Sequence, residues 1–471
     1  MSEYAEFVQK YPDYDKTHDL DELRERDYSR LDRLGQVYLD YTGGGLYAES
    51  QVRLHQKLLA DNVFGNPHSS NPTSQVATRL IDSTRQAILQ FFNADPAEYT
   101  VIFSLNASGA LKLVGESYPF GPGSHYLLTF DNHNSVNGIR EFAHAKGAEV
   151  TYIPVALPDM RVETDSLESS LDLAQAGGDK RTAARNHLFA YPAQSNFSSV
   201  MHPLEWIERA HAKGWDVLLD AAAFAPTSRL DLSKYKPDFV SLSFYKIFGY
   251  PTGVGALLAR RETLKKLHRP WFAGGTITVA SVQGDKYYLA DAPAAFEDGT
   301  LDYLNIPAVE IGLKHIQSIG YDTINARVCS LTGWLLESLS SMKHTSGVPL
   351  VRIYGPLDTV KRGGAVTANF FDKDGGPIDH RYIEAKANQT AISLRTGCFC
   401  NPGAGELALG ISRMELAACF TSPGHDQRLS LDDFRMCIDN KSSGAVRASV
   451  GLVSNFEDVQ AFLKFAEGLL E

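Results

Sequence analysis

SLSFYKIFGYPTGVGALL, residues 241–258, runs from an apolar β-rich stretch onto a single lysine, Lys246, and then turns through glycines. A lysine delivered to a turn at a strand end can carry an aldehyde cofactor as a Schiff base. Upstream, the apolar run WDVLLD ends on Asp220. An acid at the end of a buried parallel strand faces the ligand crevice at the carboxyl edge of a sheet. Lys246 as the Schiff-base amine and Asp220 as the group that keeps a pyridine nitrogen protonated point to pyridoxal 5'-phosphate. A lysine in a glycine-rich turn also fits a plain solvated residue, so the decision rests on what the rest of the chain brings to the same edge.

Outward from this stretch, strand-like and helical runs alternate from about residue 75 to 300. YTVIFS precedes SGALKLVGESY, and HYLLTF precedes SVNGIREFAHAKG; EVTYIPV follows, then HLFAYPA before LEWIERAHAKG, then WDVLLD, FVSLSF and GVGALLA. This rhythm predicts a mostly parallel sheet with helices on both faces. Beyond about 310, helical EIGLKHIQSIG and a helix over 322–341 lead into strands VRIYG, AVTANFF, AISLRTG and AVRASVG. With the amphipathic FEDVQAFLKFAEGLLE at the end, this region reads as a smaller α/β domain. Residues 16–34 carry apolar positions at helical spacing, and YLDYTGGGLY (38–47) reads as a short strand entering a glycine-rich loop. The expected division is an N-terminal arm over 1–45, a large domain over 46–310 and a small C-terminal domain over 311–471. ESSLDLAQAGGDKRTAARN (168–186) reads as an exposed insertion.

An apolar share of 44% and 10% aromatics over 471 residues describe an ordinary globular chain too long for one simple core. A net charge of −11 argues against a nucleic-acid partner and against an acidic membrane surface. No apolar run reaches the ~18 residues of a spanning helix. The opening MSEYAEFVQKYPDYDKTHDLDELRERDY is charged from its first turn, unlike a signal peptide. A soluble cytoplasmic protein is the expectation. Five cysteines, Cys329, Cys398, Cys400, Cys419 and Cys437, are too few and too odd for a secreted disulfide framework. Cys398 and Cys400 lack a second close pair, so no metal site is expected.

Other strand ends supply groups that suit a phosphorylated pyridine. FSLNASGALKLV gives strand, small polar turn and helix in the order that puts backbone donors on a phosphate, with Ala107 and Ser108 at the turn; the same pattern fits a simple helix cap. His133 in LLTFDNHNSVNG is placed to stack on a ring or to sit in solvent, and Asn196 in AYPAQSNFSS to donate to a phenolic oxygen or to form a turn. Ser243 and Tyr245 flank Lys246 within reach of phosphate. Five strand ends converging this way make one ligand site.

The second cluster is LRTGCFCNPG, 394–403. Arg395 suits a bidentate grip on the carboxylate of an amino-acid substrate. Cys398 and Cys400 follow on a glycine-bounded loop. A buried structural role is the default for any one cysteine, whereas a nucleophilic thiolate needs the exposure and mobility that this loop composition offers.

Taken together, YLDYTGGGLY, FGNPHS, LFAYPAQSNFS, PLEWIERA, LLDAAAFAPTSRLDLSKYKPDFVSLSFYKIFGYPTGVGALL, RTGCFCNPGA and VRASVGLVSNFEDVQAFL resemble class V, fold-type I pyridoxal-phosphate enzymes of the cysteine desulfurase group. More narrowly, they are similar to the N-terminal domain of eukaryotic molybdenum cofactor sulfurases. The resemblance implies a large domain with a mostly parallel, seven-stranded-type sheet and a smaller C-terminal α/β domain. It implies Lys246 as the Schiff-base lysine, Asp220 at the pyridine nitrogen, His133 stacked on the ring and Asn196 at O3′. It also implies Arg395 on the substrate carboxylate and Cys400 as the persulfide-forming cysteine, with the role of Cys398 open. WFAGGTIT (271–278) resembles a segment that reaches a neighbouring subunit's phosphate, so Gly275 and Thr276 are expected to complete the site in trans within a homodimer. The chain departs from the pattern at Tyr41, where DHAG becomes DYTG, at Asn106 and Ala223, and at Gly405, where a third cysteine is usual. A full sulfurase would continue past Glu471 into a domain that binds the molybdenum cofactor.

The implied activity is L-cysteine desulfuration to alanine and a Cys400 persulfide, with sulfur passed to an acceptor protein, a molybdenum cofactor carrier or the cofactor itself. A carbon–sulfur lyase using the same lysine, and a non-catalytic scaffold for a sulfur carrier, are the alternatives.

Overall fold

The seven apolar runs of the first half form one sheet. In the computed structural model, which describes residues 2–176, 186–421 and 443–470 together with 429, 430, 433, 434 and 437, they are β1 (Tyr99–Ser104), β2 (His125–Thr129), β3 (Glu149–Ile153), β4 (His187–Pro192), β5 (Trp215–Asp220), β6 (Phe239–Ser243) and β7 (Gly255–Arg260). The spatial order is β1-β7-β6-β5-β4-β2-β3. The β2, β3, β4, β5 and β6 contacts are parallel, and β7 lies antiparallel between β6 and β1.

Burial on both faces explains why these strands read as continuous apolar runs rather than alternating ones. Side chains still alternate between two cores. Val217 and Leu219 of β5 pack in one cluster with Phe189, Val240, Leu242 and Leu258, while Leu218 packs on the opposite face with Leu128, Ala190, Phe239 and Leu257. Helix Ala107–Ser117 covers the second face through Leu111 and Val114, and helix Ile306–Ile319 covers the first through Val309 and Leu313.

Register places the chemistry. Pro192 lies opposite Asp220, and Asp220 opposite Ser241, so β4 and β5 end on one line and β6 runs two residues further to Ser243. Ser243 and Ser104 both lie opposite Gly255. A Cβ at Gly255 would sit 2.5 Å from the Asn106 backbone, so only glycine lets β7 pass beneath the turn that opens helix Ala107–Ser117. Gly249, at φ 78°, ends the short helix Phe244–Phe248 where a side chain would strike the Leu46–Tyr47 peptide.

The second half builds an antiparallel sheet from Val351–Tyr354, Ala365–Phe371, Ala445–Ser449 and Arg395–Gly397, with Pro377–Ile378 on the side. The N-terminal arm joins this half. Val37–Tyr38 pairs in parallel with Ile392–Ser393. Buried Arg24 bonds Asp458 and Asp32, and buried Arg327 bonds Asp21 and the Thr17 carbonyl. The arm therefore packs against strand and helix residues of the second half of the chain.

Two local readings differ. Of the 168–186 insertion, Glu168–Leu171 closes a helix that begins at Thr164 and Leu173–Ala176 forms another, while 177–185 lie outside the described residues. Cys419 and Cys437, which composition left unpaired, are joined as a disulfide with Cα atoms 5.2 Å apart; sequence spacing alone carries no pairing information. No helix among the described residues is long and apolar enough to cross a membrane.

Candidate active site

Eight of the ten expected cofactor residues line one pocket of about 170 Å³ at the carboxyl edge of the large sheet: Ala107, Ser108, His133, Asn196, Asp220, Ser243, Tyr245 and Lys246. Gly275 and Thr276 do not line it. They lie at the base of an exposed hairpin, Ile277–Ser281 with Lys286–Leu289, where the Thr276 hydroxyl is spent on the Ala273 carbonyl.

Lys246 sits in the short helix Phe244–Phe248 that follows β6, where desolvation lowers its pKa from the usual lysine value and the charge of Asp220 opposes that shift. The amine has no hydrogen-bond or ion-pair partner among the described residues. Asp220 is buried, and Oδ1 accepts from the Ser241 hydroxyl at 2.9 Å and from the Ala222 amide at 3.1 Å. Those bonds hold the carboxylate at the pocket wall. His133 caps a short helix, its Nδ1 accepting from the Ser135 amide at 3.1 Å, and desolvation lowers its pKa, so a neutral ring is favoured.

The strand, turn and helix over 99–117 follow in that order. Asn106 is extended (φ −175°), a conformation that needs no glycine, and caps the helix through Oδ1 to the Gly109 amide. The Ala107 amide is taken by Ser243 Oγ, and Ser108 Oγ bonds Ser135 Oγ at 2.6 Å. Tyr245 lines the pocket and stands near Arg395, whose charge partly offsets the rise in its pKa from burial. Ala223 also lines the pocket, and Tyr41 is buried with its ring against Gly451, where any Cβ would clash.

Arg395 is already engaged. Its Nε and Nη2 both donate to Asp40 Oδ2, at 3.0 and 2.6 Å, while half its side chain is exposed. Asp40 Oδ1 accepts in turn from Arg447 Nη2 at 3.1 Å. Arg447 is a residue that the sequence reading misses. It is buried in strand Ala445–Ser449, its Nη1 donates to the Asn196 carbonyl, its Nε has no partner, and desolvation pushes its pKa down to about 10. An arginine inside the apolar run AVRAS is the available signal, because a buried strand holds a charge only where it is paired. Removing one partner of such a buried pair costs about 3–5 kcal/mol, so Asp40 fixes Arg447 before a ligand arrives. Gln194, also missed, is buried in the pocket wall with Oε1 unpartnered.

The cysteine loop is tied to the pocket wall through Asn196, although neither Cys398 nor Cys400 lines the cavity itself. Cys398 and Cys400 are both free and exposed. The loop is held rather than loose. The Phe399 carbonyl accepts from Asn196 Nδ2 and the Cys400 carbonyl from the Asn134 amide, each at 2.7 Å. Phe399 and Cys400 both have φ 56°, a left-handed conformation that costs roughly 1–2 kcal/mol per non-glycine residue.

A Cβ at Gly405 would lie 3.3 Å from Cys398 Cβ, just short of the usual disulfide spacing of roughly 3.5–4.5 Å and within reach of it by a small shift. Glycine there leaves Cys398 a free thiol. Gly405→Cys is expected to form a disulfide between Cys398 and the introduced thiol under mild oxidation, read as protection of Cys398 from alkylation in peptide mass spectrometry; unchanged labelling would contradict the geometry.

The Aminotransferase class-V family matches residues 37–462. The chain is 37% identical over 495 aligned positions to molybdenum cofactor sulfurase of Solanum lycopersicum, covering 99% of this chain and 59% of that protein. It thus spans about three-fifths of that relative's length. Among solved structures, an apo cysteine desulfurase from Thermococcus onnurineus NA1 superposes with a TM-score of 0.76 at 23% identity, covering 96% of this chain and 98% of that one. A cystine C–S lyase in complex with its reaction product cysteine persulfide superposes with a TM-score of 0.68 at 19% identity, covering 93% and 98%. With the lysine, aspartate and helix N-terminus gathered on one sheet edge and the family match spanning nearly the whole chain, the protein belongs to the aminotransferase class-V family.

Proposed function

We propose that this chain is a pyridoxal 5'-phosphate-dependent L-cysteine desulfurase that releases alanine and leaves a persulfide on Cys400, with the sulfur destined for the molybdenum cofactor or a similar acceptor. The observation that carries the reading is one pocket that gathers Lys246, Asp220, His133 and Asn196, with the loop that bears the free, exposed Cys400 bonded to Asn196 in its wall. A cystine C–S lyase shares the fold, so fold does not separate the two chemistries; a free, exposed thiol on a loop bonded to the pocket wall favours the desulfurase.

The residues present fit the cofactor. Lys246 offers an unpartnered amine, Asp220 a fixed carboxylate, His133 a neutral flat ring, and helix Ala107–Ser117 its N-terminus, while the orphaned Gln194 Oε1 marks a polar wall made for a ligand. When bound, pyridoxal phosphate supplies an electron sink for the α-carbon. Asp220 keeps the ring nitrogen protonated. Lys246, its charged form disfavoured by burial, takes the α-proton. Arg395 and Arg447 hold the substrate carboxylate in competition with Asp40. The Cys400 thiolate attacks the substrate sulfur; its S–S bond forms as the Sγ–Cβ bond breaks, and Cβ takes a proton to give alanine.

Purified protein supplied with pyridoxal phosphate and L-cysteine tests this. Equal amounts of alanine and protein-bound sulfane sulfur are expected. Pyruvate and ammonia without protein persulfide would make the lyase reading correct, and no turnover with no reducible cofactor adduct would favour the scaffold.

The chain is further read as a cytoplasmic homodimer. A nucleophilic thiol must stay reduced, and the hairpin above Gly275 and Thr276 exposes Trp271, Phe272, Val279, Val282 and Tyr288, a patch of the kind that protein contacts cover. Sedimentation is expected to give twice the 51.8 kDa chain mass. A fully active monomer at assay concentration would refute a site completed in trans.

A further inference from the structure

Asn401 follows Cys400 directly, yet it is fully buried while Cys400 is exposed. Its Nδ2 donates to the Asp131 carbonyl at 2.7 Å and to Asn196 Oδ1 at 2.9 Å, and its Oδ1 accepts from the Ala404 amide at 3.2 Å. Asn196 returns the contact one residue before the cysteine, its Nδ2 donating to the Phe399 carbonyl. The result is a closed ring, Asn401 to Asn196 to Phe399, with Cys400 spanning its only gap.

The ring is anchored from both halves of the chain. Asp131 is buried and bonds His202 Nε2 at 2.9 Å, and the Asn196 carbonyl takes Arg447 Nη1. The ring also sets which way the Asn196 amide points. Asn196 Oδ1 must face a donor, Asn401, so its NH₂ faces the Phe399 carbonyl and keeps one N–H over. A turn with two consecutive left-handed non-glycine residues persists only where its surroundings over-determine it, and these bonds are what does so.

We propose that Asn401 is a positioning residue: it ties the Cys400 loop to the ends of two strands of the large sheet and orients the Asn196 amide, so that the thiol is presented to the Lys246 pocket in one fixed geometry. This rests on reading Cys400 as the sulfur-accepting thiol, but the bonds themselves do not. The helical-cap role of Asn401 is separable from this one. Aspartate in its place still accepts from the Ala404 amide, but it cannot donate to Asp131 or Asn196.

The test compares wild-type holoenzyme with Asn401→Asp and the smaller change Asn401→Ser. Melting temperature reports the cap, and iodoacetamide labelling of Cys400 relative to Cys398 in the same molecule reports loop geometry. In Asn401→Asp, the Cys400 to Cys398 labelling ratio is expected to rise at least about tenfold, the equivalent of one of the two lost hydrogen bonds. Single-turnover persulfide formation should fall about 100-fold, the usual cost of a displaced reacting atom, with KM for L-cysteine within about threefold. Asn401→Ser should fall between. A variant that melts as wild type and keeps the wild-type labelling ratio and persulfide rate would overturn the proposal and leave a helix cap alone. If wild-type protein forms no persulfide on Cys400, the desulfurase reading fails, and the labelling ratio still decides the role of Asn401.

Discussion

Lys246→Ala is expected to leave a folded protein with no borohydride-reducible cofactor adduct and turnover lowered by at least about 10³-fold, within the range for loss of a positioned acid–base group and larger if the covalent link also matters. Lys246 enters the pocket from the short helix Phe244–Phe248, which Gly249 ends, so truncating it removes the amine without moving the strand. Absorbance with borohydride trapping and peptide mass spectrometry checks the assignment; a reducible adduct surviving in the variant would place the cofactor link elsewhere. Cofactor-free protein adds a pH signature. Burial lowers the pKa of Lys246 from 10.5, so between the folded and unfolded values the folded state binds fewer protons and stability rises with pH. The penalty is complete below the folded pKa and gone above the unfolded one. Cofactor-free Lys246→Met should therefore melt above cofactor-free wild type at neutral pH, with the gap closing as pH approaches 10.5.

Cys400→Ser is expected to bind L-cysteine yet yield no alanine and no sulfane sulfur on the loop peptide. Its hydroxyl is held where the thiol was, because the bonds from Asn196 and Asn134 go to backbone carbonyls on either side of the side chain. A hydroxyl at this pH is neither ionised nor able to form the S–S bond. Cys398→Ser should keep most of the alanine output, since Cys398 is free and exposed but lies two residues nearer Arg395. Alanine release together with mass spectrometry of the 395–413 region distinguishes them. A sulfur adduct on Cys398, or wild-type alanine release from both variants, would remove the persulfide mechanism.

The strands and the residues they deliver are legible because local pattern suffices. Continuous apolar runs such as WDVLLD and FVSLSF name buried parallel strands, and a polar or charged residue at or just past the end of each marks the crevice. Lys246, Asp220, His133 and Asn196 are found this way and share one pocket. The glycines of the cysteine loop suggest mobility. Asn196 and Asn134 hold it instead, and both lie in the first half of the chain, far from the loop in sequence.

Sequence alone thus determined the order of elements, the class of sheet and the pocket residues at strand ends, because backbone periodicity and turn chemistry are short-range. Only the tertiary structure decided that Arg395 is already clasped by Asp40, that Arg447 stands behind it, that Cys419 meets Cys437, and that Asn401 closes a ring with Asn196. Each of these is a contact between side chains well separated in the chain, and such partners follow from how the folded elements pack together rather than from any local pattern.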